Sequence, residues 1–198
     1  LQQPLFTPET EWVPPHRLPD LSGHLEIAID LETRDPNLLT MGSGSVRRDG
    51  EVVGIAVAVE GWSGYFPIAH EGGGNMDRAL VLDWFEEVLH TTSTKIFHNA
   101  MYDVSWIRSM GFQINGGIID TMIAASLIDE NRFSYTLDSV GKDYIGMRKN
   151  EKLLQEAAKE WGINPKAEMW RLPAPFVGEY AEKDAEMTMK LWHALQHE

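Results

Sequence analysis

Two acidic residues, Asp30 and Glu32, directly follow the apolar run Ile27 to Ile29. Side chains alternate across a strand, so a strand here places both carboxylates on one face. Carboxylates at the end of a core strand repel each other and are costly to desolvate unless a cation or a hydrogen-bonding network compensates. The pair is therefore a metal-site hypothesis. The alternative is a strand that simply ends in a solvated Asp-Leu-Glu.

Two later segments each place an acid on the apolar side of a helix. Asn99 and Asp103 are four residues apart and share a helical face with Trp106, and Tyr180 and Asp184 repeat this spacing. Charges inside an apolar stripe need a partner. Each residue taken singly has an ordinary structural explanation. Together, the four acids and the tyrosine indicate one shared site.

The composition limits the chemistry. The chain has 198 residues, 43% hydrophobic and 24% charged, which is typical of a soluble globular domain. Cysteine is absent, so any metal must be held by oxygen or imidazole. No apolar run is long enough for a membrane span and no signal-peptide pattern begins the chain. We expect a cytoplasmic protein that makes no membrane contact.

The net charge of −13 argues against a high-affinity, nonspecific duplex binder, because phosphate neutralisation depends on clustered Lys and Arg. It allows an enzyme whose divalent cations meet the phosphate directly. The local basic segments are Arg47-Arg48 and Lys142 to Lys152, which includes Arg148 and Lys149. Both are equally compatible with a phosphate contact and with ordinary solvated surface.

The order of elements predicts an α/β fold with a mixed central sheet. Five prolines in residues 1–24 predict an extended arm or linker, and residues 25–198 form the predicted domain. The predicted strands cover Glu26–Leu31, Val52–Val59, Tyr65–Ala69, Thr94–Phe97 and a segment from Ile118, with a loop from Thr33 to Gly50. The predicted helices cover Asp77–His90, Asn99–Met110, Asp120 as N-cap through Ile128, Thr136–Tyr144, Glu151–Trp161 and Pro175–His197.

Three motifs resemble those of the DnaQ-like 3'-5' exonucleases with four acids and a tyrosine. In chain order, the three motifs are Asp30-Leu31-Glu32-Thr33, His98-Asn99-Ala100-Met101-Tyr102-Asp103 and Tyr180-Ala181-Glu182-Lys183-Asp184. The similarity is greatest to the proofreading domain of family A DNA polymerases, particularly phage-type members, and spans residues 24 to 197. It implies a ribonuclease H-like fold, with a central mixed sheet flanked by helices, and a two-metal phosphodiesterase.

The resemblance also implies a role for each residue. Asp30, Glu32 and Asp184 would hold one Mg2+ or Mn2+, and Asp30, with water-mediated help from Asp103, would hold a second. Hard carboxylate oxygens suit both cations. Tyr180 would position the attacking water with assistance from Glu32, since a phenol with a reference pKa near 10 orients better than it deprotonates at neutral pH. Clustered acids predict that either cation raises the melting temperature.

The implied substrate is a single-stranded DNA 3' end, with Thr33 and Asn99 as substrate-binding residues and nucleoside 5'-monophosphates as products. A polymerase domain, in cis or in trans, is the implied partner. One alternative is a ribonuclease D-like RNA 3' exonuclease, which carries the same acids and tyrosine. Another is a silent exonuclease fold that holds DNA, although silent relatives are expected to have lost acids.

Several neighbouring residues are assigned structural roles. Asp120 is interpreted as a helix cap, Asp138 as structural and His98 as a satisfied core group. His193 and His197 have zinc-compatible spacing but lack a third ligand, so they are interpreted as surface residues. The candidates for base stacking are Phe66, Tyr102, Trp106 and Trp170, although aromatic residues at helical spacing are more often part of a core.

Overall fold

The strand that carries Asp30 and Glu32 lies at the centre of a five-stranded mixed sheet. The computed structural model describes residues 4–198. The strand order is β3-β2-β1-β4-β5, in which β1 pairs antiparallel with β2 and parallel with β4. The β2–β3 pair is antiparallel and the β4–β5 pair is parallel. The strands are β1 Glu26–Arg34, β2 Glu51–Val59, β3 Trp62–Pro67, β4 Thr94–Phe97 and β5 Ile118–Asp120.

Helices cover both faces of this sheet, which confirms the predicted α/β fold. One face packs Ile27, Ile29 and Leu31 against α3 and α4, and the other packs Ala28 against α8. The small side chain of Ala28 lets α8 approach the sheet closely, so the face that carries Asp30 and Glu32 is the face beneath α8. The helices are α1 Leu38–Met41, α2 Gly44–Arg47, α3 Arg78–His90, α4 Ala100–Ser109, α5 Thr121–Ile128, α6 Leu137–Ile145, α7 Lys152–Trp161 and α8 Gly178–Leu195.

The structure corrects three predicted boundaries. The first strand continues to Arg34, and the predicted loop that follows contains α1 and α2. The third strand begins at Trp62, because the two residues Glu60 and Gly61 are enough to close the hairpin, with Gly61 at φ +79°. The last helix begins at Gly178 rather than Pro175, which lies in a separate 3-10 turn.

Residues 4–25 contain no helix or strand but contact the domain at several points. The Trp12 indole N–H donates to Glu182, and Trp12 packs against Gly178, where a Cβ atom would overlap its ring. The carbonyl of Pro19 accepts from the Trp84 indole. Residues 1–3 of the predicted arm lie outside the described residues, and the domain boundary at residue 25 stays a prediction. None of the helices in 4–198 combines the length and apolar character that a bilayer crossing needs.

Candidate active site

Asp30 and Glu32 leave β1 on the face covered by α8. Their strand pairs with β2 through Asp30 opposite Ala56 and Glu32 opposite Gly54. The register shifts between Glu32 and Thr33, which is a β-bulge of the kind that re-aims side chains next to functional sites. Both acidic residues are partly exposed, whereas the adjoining Ile29 and Leu31 are buried. The two carboxylates therefore lie at the boundary between core and solvent, within the strand rather than at its predicted end.

Asp103 reaches the same point from α4. Its Oδ1 accepts a hydrogen bond of 3.0 Å from the backbone N–H of Leu31. The pairing of β4 with β1 extends only to Ala28, so beyond it this N–H has no strand partner on that side. Asp103 is buried and supplies the missing acceptor. One acid thus ties α4 to the strand that carries the other two.

Tyr180 and Asp184 lie one turn apart on α8 and share a contact with a residue from elsewhere in the chain. The Lys149 ammonium donates to Asp184 Oδ2 at 2.5 Å and to the Tyr180 hydroxyl at 3.1 Å. Lys149 precedes α7 in the short connection from α6. The second oxygen of Asp184, Oδ1, is buried and makes no hydrogen bond within the described residues. Asp184 therefore retains a free acceptor inside the acidic cluster.

The pKa values of all four acids are raised, and burial is the largest cause for each of them. Burial, with the charge of Asp184 adding to it, raises the pKa of Asp30 to about 7. Burial and then Asp30 and Asp184 raise the pKa of Glu32 well above its usual range. Burial and the charge of Asp30 do the same to the pKa of Asp103. The pKa of Asp184 is also raised by burial, although Lys149 opposes that effect.

The Tyr180 hydroxyl stays protonated at neutral pH. Burial, followed by the charges of Asp184 and Glu32, raises its pKa far above the usual value. A protonated phenol donates one hydrogen bond and accepts others, so it can orient a water molecule but is not a base. This agrees with the orienting role that the resemblance implies.

Asn99 directly precedes α4, and Thr33 on β1 contacts the first turn of that helix. The Thr33 hydroxyl lies 2.8 Å from the Tyr102 hydroxyl, which also donates to Asp35. Asn99 is exposed and adopts a left-handed conformation with φ 69°. Asp120 fixes it there, since its Oδ1 accepts from the Asn99 N–H. The substrate-binding role of both residues stays a prediction.

The donor set suits a divalent cation in its chemistry. All four side chains offer hard oxygen ligands, and Asp184 Oδ1 has free lone pairs. Within residues 4–198, however, no three carboxylates converge tightly enough to form a ready-made ion site. The cation nearest to Asp184 is instead the Lys149 ammonium. The residues fit a metal, provided that Lys149 and the carboxylates rearrange.

The sequence does not identify Lys149 as a residue of this site. It lies in the basic segment that the sequence offered as a phosphate contact, but nothing in its local pattern predicts a neighbour on α8. Its backbone N–H donates to Asp138, which gives that acid the structural role predicted for it. A cleft of about 660 Å³ opens beside Lys149 and is bordered by Glu32, Tyr180, Arg148 and Lys166, among others.

Most of the neighbouring assignments agree with the structure. Asp120 caps α5 by accepting from Met122 N–H. His98 contacts the Thr121 hydroxyl and the Tyr135 carbonyl, as a satisfied core group does. Arg47 pairs with Asp49 and donates to nearby carbonyls, so it serves its own loop.

Two of the four stacking candidates are core residues. Phe66 and Trp106 have exposed fractions of 0% and 2% and cannot receive a base. Tyr102 and Trp170 are partly exposed and stay candidates. His193 Nε2 lies 2.6 Å from Glu26 Oε2, and the interpretation of His193 and His197 as surface residues stays a prediction.

The family model that describes the 3'-5' exonuclease domain of family A DNA polymerases matches residues 17–198. The chain belongs to this exonuclease family. The match covers the strand with Asp30, the helix with Asp103 and the helix with Asp184 in a single segment. The resemblance stated from the three motifs is thereby confirmed.

Viral and bacterial polymerases are similar to this exonuclease domain. The DNA-directed DNA polymerase of Pseudomonas phage M6 is 38% identical over 100% of the chain and 31% of its own length. DNA polymerase DpoZ of Salmonella phage PMBT28 is 29% identical over 91% of the chain and 28% of its own length. The chain therefore spans less than a third of these relatives.

Solved structures share the fold at low sequence identity. Trypanosoma brucei RNase D superposes with a TM-score of 0.64 at 20% identity, over 88% of this chain and 58% of its own. Brucella melitensis NrnC with bound Mg2+ gives 0.61 at 18% identity, over 90% and 75% of the two chains. These superpositions confirm the predicted fold class, a ribonuclease H-like fold with a central mixed sheet flanked by helices.

Proposed function

We propose that this exonuclease domain hydrolyses single-stranded DNA from its 3' end in a metal-dependent reaction and releases nucleoside 5'-monophosphates. One observation carries the proposal. Asp30 and Glu32 from β1, Asp103 from α4, and Tyr180 and Asp184 from α8 meet at one end of the central strand, and Asp184 retains a buried oxygen without a hydrogen bond. Such an oxygen is costly unless a ligand completes its contacts.

The residues divide the work of phosphodiester hydrolysis. Asp30, Glu32, Asp103 and Asp184 would hold two divalent cations, Mg2+ or Mn2+, which when bound supply the charge that activates the attacking water and stabilises the leaving 3' oxygen. The protonated Tyr180 hydroxyl orients the water, with the Glu32 carboxylate as a second acceptor beside it. Asp103 fixes α4 to β1 through its hydrogen bond with the Leu31 N–H.

The DNA preference is supported by the relatives, which are DNA polymerases. A proofreading role follows if a polymerase domain accompanies this one, in cis or in trans. Frayed or mismatched termini would then be favoured, since a paired terminus must be opened before it can enter the site. Thr33 and Asn99, at the amino end of α4, are proposed to contact the terminal nucleotide.

RNA hydrolysis is the second candidate. It is favoured by the structural similarity to RNase D from Trypanosoma brucei, whose TM-score of 0.64 is the highest of the solved structures compared above. Both candidates use the same residues, so the site itself does not separate them.

The first experiment is digestion of 5'-labelled single-stranded DNA and RNA of identical sequence with Mg2+ or Mn2+. EDTA and an Asp30→Ala variant serve as controls. We expect a DNA ladder that shortens from the 3' end and disappears in both controls. Faster shortening of the RNA would favour the RNase D-like alternative. If neither oligonucleotide is cut by the folded protein under any condition, a silent DNA-holding module becomes the better explanation.

A further inference from the structure

The contact between Lys149 and the acidic cluster links two parts of the chain that are otherwise separate. The ammonium lies 2.5 Å from Asp184 Oδ2, 3.1 Å from the Tyr180 hydroxyl and 5.0 Å from the centre of the Tyr180 ring. The Lys149 side chain is 19% exposed, so it reaches the cluster from the cleft. A lysine is thus held against both residues that α8 contributes to the site.

A purely structural ion pair does not account well for this arrangement. Buried pairs stabilise a fold only when further hydrogen bonds satisfy the remaining atoms of both partners. Asp184 Oδ1 is buried without such a bond, and the Lys149 ammonium donates a hydrogen bond to only one of the four acids. Its backbone is anchored through Asp138, whereas its four-carbon stem contains rotatable bonds that allow a second position of the ammonium.

Phosphodiester hydrolysis requires a positive charge that offsets the repulsion between the phosphate and the carboxylates, and it requires a group that binds the phosphate. The Lys149 ammonium lies where it meets both requirements. A phosphate that approaches four carboxylates is repelled unless cations stand beside them. A lysine binds phosphate as a flexible point charge. Lys149 already contacts Tyr180, the residue proposed to orient the attacking water, so a small rotation of its stem would bring the ammonium to a phosphate held in the cleft.

We infer that Lys149 is a substrate-binding residue with two positions. Without substrate, its ammonium lies on Asp184 and Tyr180 and competes with a divalent cation for Asp184. With substrate, it leaves Asp184 and binds the phosphate beside Tyr180. The phosphate-bound position of Lys149 rests on the proposed exonuclease function. The position on Asp184 does not, because competition for Asp184 can be measured without any nucleic acid.

The test compares Lys149→Met, Lys149→Arg and Lys166→Met. Lys166 borders the same cleft but forms no ion pair within residues 4–198, so Lys166→Met is the matched control. The first readout is calorimetric titration of the DNA-free protein with Mn2+. We expect Lys149→Met to bind Mn2+ about tenfold more tightly than the native protein, because a competing positive charge is gone, whereas Lys149→Arg and Lys166→Met bind as the native protein does. Equal or weaker binding by Lys149→Met would overturn the competition.

The second readout is the steady-state kinetics of 5'-labelled DNA digestion at saturating Mn2+. We expect Lys149→Met to raise KM and lower kcat, each by about tenfold, with most of the loss restored in Lys149→Arg. A merely structural lysine would leave both constants unchanged in the molecules that stay folded, and this result would overturn the phosphate contact. If Lys149→Met does not fold by circular dichroism, Lys149→Gln takes its place. If no variant and no native protein cuts DNA, the proposed function fails while the Mn2+ titration still decides the competition.

Discussion

Two buried charges lie near opposite ends of the paired strands β1 and β4, and their surroundings differ. The Lys95 ammonium donates to the carbonyls of Thr91, Ser93 and Asn115 and to the Thr91 hydroxyl at 2.6–3.1 Å. Asp184, at the other end, has one oxygen on Lys149 and one without a hydrogen bond. A buried polar group with all its bonds made stabilises its surroundings, whereas an incompletely bonded one is available to a ligand. We therefore interpret the Lys95 site as structural and the acidic site as functional.

The largest expected effect comes from a substitution in the acidic site. Asp30→Asn keeps the shape of the side chain but removes a charge. We expect the digestion rate to fall by about 10²–10³, the scale that follows loss of one preorganised electrostatic group. The melting temperature in EDTA should hold or rise, because a repelling charge is gone. Asp83→Asn, an exposed change on α3, is the control. A full-rate Asp30→Asn enzyme would contradict the assignment.

Lys95→Met disrupts the structural site around the Lys95 ammonium. Three backbone carbonyls lose their donor, so we expect urea denaturation to show a loss of about 3 kcal/mol in the free energy of unfolding. The digestion rate per folded molecule should not change. Lys190→Met is the matched control, since Lys190 is exposed and pairs with Glu186 only at the surface. Similar stability losses in the two variants would remove the contrast between the sites.

The pH dependence of stability sharpens the comparison. The folded pKa of Asp30 is about 7, above the usual value of 3.8. The folded state therefore holds more protons than the unfolded state between these values, so stability without metal should fall as the pH rises from about 4 to about 7. Each unit of pKa shift corresponds to about 1.4 kcal/mol. Asp30→Asn should flatten this slope. An equal slope in both proteins, measured by urea denaturation in EDTA, would show that the dependence arises elsewhere.

The smallest expected effect is the response to metal. Millimolar Mn2+ should raise the melting temperature by a few degrees, since about 1 kcal/mol of binding free energy shifts a domain of this size by about 2–4 °C. Asp30→Ala should weaken this shift, whereas Lys95→Met should keep it from its lower starting temperature. An unchanged melting curve for the native protein would count against the metal site.

The sequence predicts the acidic cluster well because its members lie on regular elements. Alternation along a strand places Asp30 and Glu32 on one face, and the four-residue spacing on a helix places Asp184 below Tyr180. Each position follows from the geometry of its own segment. The order of strands and helices likewise predicts the mixed sheet.

The contacts between distant segments could not be predicted in this way. Lys149 lies in an irregular connection and meets α8 only through the packing of α6 and α7, which no periodicity encodes. The helices α1 and α2 could not be predicted from the sequence either, because each has only four residues and buries little or no apolar surface. Local rules end where the position of a residue depends on tertiary packing.

The hydrogen bond between Asp103 and Leu31 has a consequence for how such domains diverge. A descendant without nuclease activity could lose Asp30 without harm to its fold, whereas losing Asp184 would leave the Lys149 ammonium without its ion-pair partner. Losing Asp103 would still leave the Leu31 N–H buried without an acceptor, at about 1–3 kcal/mol. Selection for stability alone would keep an acceptor here, Asp or Asn, after selection for hydrolysis had ended. In distant relatives, an aspartate at this position is therefore a poor indicator of activity, whereas the acid that corresponds to Asp30 is a good one.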